Sequence, residues 1–568
     1  MASENKARAL AARVFGPWVE ETNRKTLRAD AMAGLLGAVL TLPQGIAFAA
    51  LAGLPPAWGV YASIVPCIVA ALAGSSRHAL SGPTNAVSLA LAAMLAPLAA
   101  SGSPEYLQLA LVATFGVGLI QTAIALLRLG QVANFISPSV MLGFTSGAAV
   151  LIAWHAAESV RADMAAAGFA AGTLLLVVLL RWLWRGGPFM LLALALASAA
   201  AWAAMRFGGL AQPFVGPLPQ AWPAFRVPPL GWAEVSRMTG ISFALTVVAL
   251  GQSIAIAKAL AARTGHALDV NRECLGQGLS NLAGSFFSCF VVSGSLNRSL
   301  PNLEAGARTP MAGVFAGALV LVIALAAAPL IAWIPMAAVA GLLVWVAWSL
   351  IDVERWRHLL QLDRAEAAIA GATFAAMLVL PLQEAVLGGV GLSLVAYLMR
   401  TSRPALRTMA FGPASAGQRS RPMLVSADPP LPECPQLKLL RMEGSVYFGA
   451  VAHVSEHLHA LRAAPAPQRH LLVMAKSMNF VDYAGATLWE EEHLRRLAMG
   501  GDLYFHRPRP EVMASFGRRG FLEKLGPDHV FDDKRSAIAA IVPRLDPEVC
   551  ARCKARVFEE CAGRPGAP

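Results

Sequence analysis

Two stretches far apart in this chain say nearly the same thing twice. The apolar run LPQGIAFA at 42–49 returns as LGQSIAIA at 250–257, and the polar break SGPTN at 81–85 returns as SGSLN at 293–297, in the same order and with similar gaps. Each half therefore carries a Gln-bearing hydrophobic helix followed by a Ser-Gly break. Non-helical chain at membrane depth is tolerated only inside protein or beside a water-filled cavity. Matching breaks in two hydrophobic halves point to a secondary transporter with its site near the bilayer midplane.

Composition supports a membrane setting. The 568 residues are 56% hydrophobic and 14% charged, with a mean hydropathy of +0.56, outside the range of ordinary soluble domains. Apolar runs long enough to cross a bilayer are predicted at 29–50, 57–74, 83–100, 107–128, 134–154, 165–184, 188–205, 238–259, 274–291, 296–308, 311–329, 335–351, 365–381 and 384–400, seven per repeat. Residues 1–28 are polar and basic, and the following apolar run lacks a cleavage site, so no cleavable signal peptide is expected. The predicted inner loops hold Arg77, Arg128, Arg181, Arg185, Lys258, Arg263, Arg272, Arg308, Arg355, Arg357 and Arg364, against only Arg161, Arg206, Arg226 and Arg237 outside. That asymmetry predicts both termini in the cytoplasm.

The formal net charge of +12 is accounted for by this topology, and no basic-aromatic surface motif accompanies it, so no nucleic-acid partner is expected. Of the seven cysteines, Cys67, Cys274 and Cys289 fall in predicted spans, which argues against a disulfide framework. Cys550, Cys553 and Cys561 form a C-x2-C-x7-C tail. With no fourth ligand evident beside them, they read as a reduced cytoplasmic tail. No metal or cofactor is expected.

After Arg400 the chain changes character. A Gly/Ser/Pro-rich stretch at 401–434 reads as a linker, 435–545 as a soluble domain, and 546–568 as a tail. Within the soluble domain, 437–449 reads as two short strands, 452–464 as a helix, 469–480 as a buried strand and 485–501 as a helix. A strand at 503–508 and helices at 511–521 and 532–545 follow. This alternation indicates an α/β layer fold.

The breaks themselves suggest an anion site. Pro83 suits the first turn of a helix, so a helix is predicted to start at Pro83 or Thr84. Pro301 is less disruptive if its helix starts only at 296–298. Two half-helices starting near the midplane would aim free N–H groups and positive dipole ends at each other. Arg298 would lie just inside the second, where an unpaired cation is expensive and a bound anion relieves the cost. The competing reading is a structural Arg298 that caps carbonyls or pairs with Glu304.

The α/β part resembles the STAS domain, and with the membrane part the chain is similar to the SulP/SLC26 anion transporter family over residues 27–545. The most specific stretches are LPQGIAFAALAGLPPAWGVYASIVPCIVAALAGSSRHALSGPT and LSNLAGSFFSCFVVSGSLNRSLPNLEAGARTP. The resemblance implies an α-helical polytopic membrane protein with fourteen transmembrane segments in two inverted seven-segment repeats of the UraA/SLC26 type, plus a cytoplasmic STAS domain. It also implies a homodimer in a bacterial inner membrane and an elevator-like motion of spans 1–4 and 8–11 against 5–7 and 12–14. Carried over residue by residue, Gln44 and Phe48 would face an inorganic anion from the first span, Thr84 from the third, and Leu296, Asn297 and Arg298 from the tenth. Asn85 would cap its half-helix or reach the ligand.

One departure bears on mechanism. Many bacterial relatives carry a carboxylate where this chain has Gln252, and an amide cannot titrate. Gln252 therefore favours anion exchange or uncoupled movement over proton or Na+ symport, with Glu304 the nearest acid that could substitute. In the STAS part, Asp482 and Gly485 match the family's D-x-x-G, but Tyr483 and Ala484 stand between them, which excludes serine phosphorylation there. Sulfate is the first expected substrate and bicarbonate or chloride the next. A nucleobase transporter and a membrane-anchored STAS sensor are the competing readings, and no catalytic set for an enzyme can be assembled.

Overall fold

The computed structural model describes residues 11–12, 15–131, 137–161, 163–184, 189–208, 213–216, 222–412, 423–425 and 431–563. Arg185, the start of the span predicted from 134, the first residue of that predicted from 188 and residues 413–422 and 426–430 of the predicted linker lie outside the described residues. The chain divides into two compact units, Met1–Ser393 and Leu394–Pro568.

In the first unit the helices run α1 (Arg24–Leu51), α2 (Pro56–Tyr61), α3 (Val65–Ala73), then strand β1 (Ser81–Gly82), α4 (Asn85–Leu95), α5 (Pro104–Leu126), α6 (Pro138–Val160), α7 (Met164–Leu183) and α8 (Phe189–Gly208). The second half repeats the plan with α9 (Trp232–Thr264), α10 (Val270–Phe286), strand β2 (Ser293–Gly294), α11 (Leu296–Glu304), α12 (Met311–Ala332), α13 (Met336–Leu350), α14 (Val353–Leu362), α15 (Arg364–Val379) and α16 (Leu382–Thr401, which crosses into the second unit). Each predicted span falls on one of these helices or, for 57–74, on the α2–α3 pair.

Eight helical segments among the described residues are long and apolar enough to cross a membrane, and Asn85–Leu95 and Met311–Ala327 are shorter apolar ones. Two of the other predicted spans have visible reasons for low hydropathy or shortness. Helix α10 buries Glu273, Gln277, Ser280 and Asn281, and α11 has only nine residues. The spans predicted at 83–100 and 296–308 were too long: α4 stops at Leu95 and α11 at Glu304. Helix α14, read from the sequence as a charged loop, buries none of its residues.

The second unit is a six-stranded sheet of β3 (Ala405–Phe411), β4 (Met423–Val425), β5 (Leu437–Val446), β6 (His470–Val481), β7 (Leu503–His506) and β8 (Val530–Phe531), in the order β4-β3-β5-β6-β7-β8. Strands β5 to β8 pair in parallel, whereas β3 pairs antiparallel with both β4 and β5. Alternate side chains point to opposite faces of a strand, and both faces are buried. Leu440, Met442, Leu471, Val473, Leu503 and Phe505 enter one core; Leu437, Leu439, Leu472, Met474 and Tyr504 enter the other. A parallel sheet covered on both sides needs such continuous apolar strands.

Helices α17 (Val451–Arg462), α18 (Tyr483–Ala498), α19 (Pro510–Arg518) and α20 (Phe521–Leu525) connect the strands, followed by α21 (Lys534–Ile541) and α22 (Pro547–Arg552). Two sequence expectations change here. Residues 437–446 form one strand whose pairing with β6 is irregular at Arg441/Glu443 and Gly444/Val446, not two strands. Residues 405–411, expected in the linker, form β3 with Met409 and Ala410 buried. Pro404 and the charged Arg407, which pairs with Glu443, had hidden the alternation.

Asp482 caps α18: its Oδ1 accepts from the Gly485 N–H at 2.8 Å and its Oδ2 from the Phe448 N–H at 2.9 Å. A Cβ on Gly485 would stand 2.1 Å from the Val446 carbonyl oxygen, so the glycine of this D-x-x-G is required by packing.

Burial holds the imidazoles of His470, His493 and His506 below the ordinary histidine range. Acidification through about pH 6.5 therefore protonates these groups in the unfolded chain before the folded one, and stability is lost as pH falls. Hydrogen exchange of the β7 amides in the full-length protein, corrected for intrinsic rates, should show weaker protection at about pH 5.5 than at about pH 7.5. Equal or greater protection at the acid end would contradict this.

Candidate functional site

The two polar breaks meet. Strands β1 and β2 pair antiparallel with Ser81 opposite Gly294 and Gly82 opposite Ser293, so segments 212 residues apart (293 minus 81) share one ladder. An extended break inside a membrane protein leaves backbone groups that lipid cannot satisfy, and here each break satisfies the other. The Ser295 N–H donates to the Leu80 carbonyl at 3.1 Å. The Leu80 N–H donates to Ser299 Oγ at 2.8 Å, and the Gly294 N–H to Ser253 Oγ at 2.8 Å.

Buried polar side chains of α10 and α5 hold the pair from behind. Gln277 Nε2 donates to Ser81 Oγ at 2.8 Å. Asn281 accepts from the Val292 N–H at 2.8 Å and donates to Gln121 Oε1 at 3.0 Å. These bonds tie both strands to α10 and, through Gln121, to α5.

A half-helix leaves from each strand. Helix α4 begins at Asn85, with Thr84 extended at the N-cap, one to two residues later than the predicted start. Pro83 precedes the cap instead of opening the first turn, because Ser81–Gly82 is committed to the ladder. Helix α11 begins at Leu296 after the extended cap Ser295, and Pro301 sits inside it as the sixth residue. Both helices thus present first-turn N–H groups beside the same strand pair, where helix dipoles favour negative charge.

Arg298 is 1% exposed. Its Nη2 donates to the Pro83 carbonyl at 2.9 Å, while Nε and Nη1 have no hydrogen-bond partner among the described residues. No ion pair joins it to Glu304 among those residues; Glu304 is exposed at the far end of the same helix, about 9 Å along the axis from Arg298. The structural reading of Arg298 is therefore half met, by one carbonyl, with two donors left over. A Cβ on Gly82 would lie 2.6 Å from Nη1, so Gly82 leaves the space that the guanidinium fills.

The other predicted residues divide into three groups. Gln44, Leu296, Asn297 and Glu304 border a cavity of about 1070 Å³ between α1, α7, α8, α11 and α13. In it the Gln44 Nε2 makes a long contact, 4.0 Å, to Met190 Sδ, and its buried Oε1 lacks a partner among the described residues. Thr84 and Gln252 form a second group with Ser293: Gln252 Oε1 lies 3.2 Å from both hydroxyls, which are 2.9 Å from each other. Phe48 and Asn85 form the third. Phe48 is buried and Asn85 Oδ1 accepts from the Ala86 N–H at 2.8 Å, and neither borders the cavity.

Sequence reasoning missed two participants. Ser293 was visible as part of the repeated break but had no assigned contact. Arg181 was counted as a loop charge, yet it borders the cavity with its guanidinium 5.0 Å from the centre of the Trp345 ring, a cation–π distance. An arginine inside an otherwise apolar segment was the available signal.

Two hydrophobic halves, crossed at paired strands and half-helices beside a largely apolar cavity with a few polar groups on its wall, define a helical membrane transporter fold, here followed by a STAS domain. The sequence matches the models of the sulfate permease family over residues 27–162 and 156–373 and of the STAS domain over 428–537. This chain belongs to the sulfate permease family, a family of membrane anion transporters, and is an integral membrane protein. It is 29% identical over 544 residues to the probable sulfate transporter Rv1739c of Mycobacterium tuberculosis, covering 92% of this chain and 96% of that one. With the chloroplastic sulfate transporter 4.1 of Arabidopsis thaliana it shares 28% identity over 545 residues, covering 88% and 78%.

The fold is similar to that of murine SLC26A9 in its inward-facing state (TM-score 0.81, 19% identity, 93% of each chain). It is also similar to the transmembrane domain of the cyanobacterial bicarbonate transporter BicA (TM-score 0.57, 22% identity, 66% of this chain and 98% of that one).

Gly82→Ala should push the guanidinium of Arg298 out of place while leaving the helices intact. We expect anion uptake into proteoliposomes to fall by about tenfold, equivalent to about 1.4 kcal/mol, in protein with the gel-filtration profile of wild type. Uptake at the wild-type rate would show that the contact has no functional weight.

Proposed function

We propose that the protein is a secondary transporter of inorganic anions, sulfate first and bicarbonate or chloride next, that binds its substrate between the N-termini of α4 and α11. The observation that carries this reading is Arg298: a buried cation at the crossing of two half-helices, with Nε and Nη1 unbonded. Leaving charged donors unsatisfied in a buried site is costly, and an oxyanion offers them the acceptors they lack. Gln44, Leu296 and Asn297 border the cavity through which the anion would arrive, the buried Phe48 lies outside its lining, and Thr84 helps to fix Gln252. The sulfate transporters of Mycobacterium and Arabidopsis support the order of substrates.

Transport would proceed by an elevator-type movement of α1–α5 and α9–α12 against α6–α8 and α13–α16, in a homodimer of a bacterial inner membrane with both termini cytoplasmic. The neutral Gln252 favours anion exchange or uncoupled movement, because the group held by Thr84 and Ser293 carries no titratable charge.

Uptake of radiolabelled sulfate into proteoliposomes driven by an internal anion gradient tests this directly. Arg298→Ala should reduce uptake by at least about tenfold, and a superimposed Na+ or proton gradient should change wild-type uptake little. Wild-type rates in the Ala variant for sulfate, bicarbonate and chloride alike would refute the site. Strong cation dependence would refute the role given to Gln252.

A further inference from the structure

The C-terminal cysteines have a fourth partner that sequence spacing could not reveal. Cys434, just before β5, borders the same small cavity as Cys550, Cys553 and Cys561, although 116 residues (550 minus 434) separate it from the first of them. Gln436, which is 5% exposed, builds this meeting point. Its Nε2 donates to the Asp546 carbonyl at 3.0 Å and its Oε1 accepts from the Asp546 N–H at 2.9 Å. That two-way clamp fixes the start of α22 against the strand that follows Cys434.

The same Nε2 stands 3.3 Å from Cys550 Sγ, an N–H···S contact of the kind that supports a metal-bound thiolate. Cys434 is pinned through its carbonyl, which accepts from Gln468 Nε2 at 2.9 Å. On the other side, Val557 and Phe558 are buried in the sheet core, with Phe558 edge-on to Phe411 at 5.7 Å. They hold the chain so that Cys553 and Cys561 flank the cavity.

We propose that these four thiols form a tetrahedral Zn2+ site that fastens the C-terminal segment to the STAS sheet. The ligand set and its C-x2-C spacing are those of structural zinc. The cavity is about 20 Å³, room for one water-sized particle and too little for an iron–sulfur cluster. All seven cysteines are free thiols, so the four are available as ligands. Among the described residues no group of three or more His, Cys, Asp or Glu is placed to hold a metal ion, so the proposal requires the four thiols, which border the cavity, to turn inward when the ion binds. Binding would release the four thiol protons to solvent and leave a site of net charge −2, beside which Arg556 supplies a positive charge from the cavity wall.

Full-length protein, purified in detergent without chelator from zinc-supplemented cells, should contain about one zinc per chain by mass-spectrometric elemental analysis. Cys434→Ser and Cys553→Ser should each lose most of it, whereas Cys67→Ser, in the membrane unit, should keep it. Cobalt added to wild-type protein after chelation should give the intense visible and near-ultraviolet bands of tetrahedral thiolate cobalt, a readout independent of how any variant folds. The proposal is overturned if wild-type protein with reduced thiols binds neither zinc nor cobalt. It is equally overturned if the four cysteines are found as disulfides, if the protein carries iron and sulfide instead, or if Cys434→Ser retains full zinc.

Discussion

The pairing of Ser81–Gly82 with Ser293–Gly294 is the contact on which the rest of the membrane unit depends. A polypeptide buried among apolar helices has no water to satisfy a broken backbone. Two breaks at one depth must therefore find their partners within the protein, and here they find them in one another and in the hydroxyls of Ser299 and Ser253. That requirement accounts for side chains behind the pair, Gln277, Asn281, Gln121 and Ser253, that are polar although buried.

From this ladder the chemistry follows with little freedom. Because both half-helices leave from the same strand pair, their first turns converge, and the arginine at the third position of α11 is drawn back over Gly82 to the Pro83 carbonyl. A larger residue at position 82 would occupy the guanidinium's place. In the proposed mechanism the anion completes a constellation that the fold leaves deficient in acceptors. Gln252, held by one hydroxyl from each break, supplies polarity at the crossing without a charge to be carried.

The repeats made much of this legible in advance. Two copies of a Ser-Gly break, each following a Gln-bearing helix, disclosed the two halves and the helix starts beside the breaks, though not how early those helices end. What the sequence did not disclose depended on partners distant in the chain. Nothing local says that Thr84 and Ser293 share Gln252, that the Arg298 partner is a carbonyl and not Glu304, or that Pro83 stays outside its helix because the ladder claims the residues before it. The same holds in the second unit. Strand β3 was hidden because its alternation is interrupted by Arg407, whose charge is matched on β5. Cys434 looked isolated because the tail that reaches it is positioned by Gln436.

If the strand pair joins both halves into one carrying body, the ends of α4 and α11 must keep their separation while both move relative to α7. Pulsed dipolar electron spin resonance on protein in nanodiscs, with labels at the exposed positions Ala96 and Ala305, measures the first distance. A second pair, Ala96 with the exposed Leu183, measures movement against α7. The account predicts a narrow Ala96–Ala305 distribution that is the same with and without sulfate, and an Ala96–Leu183 distribution that shifts. An Ala96–Ala305 distance that changes with sulfate while the Ala96–Leu183 distance stays fixed would contradict it.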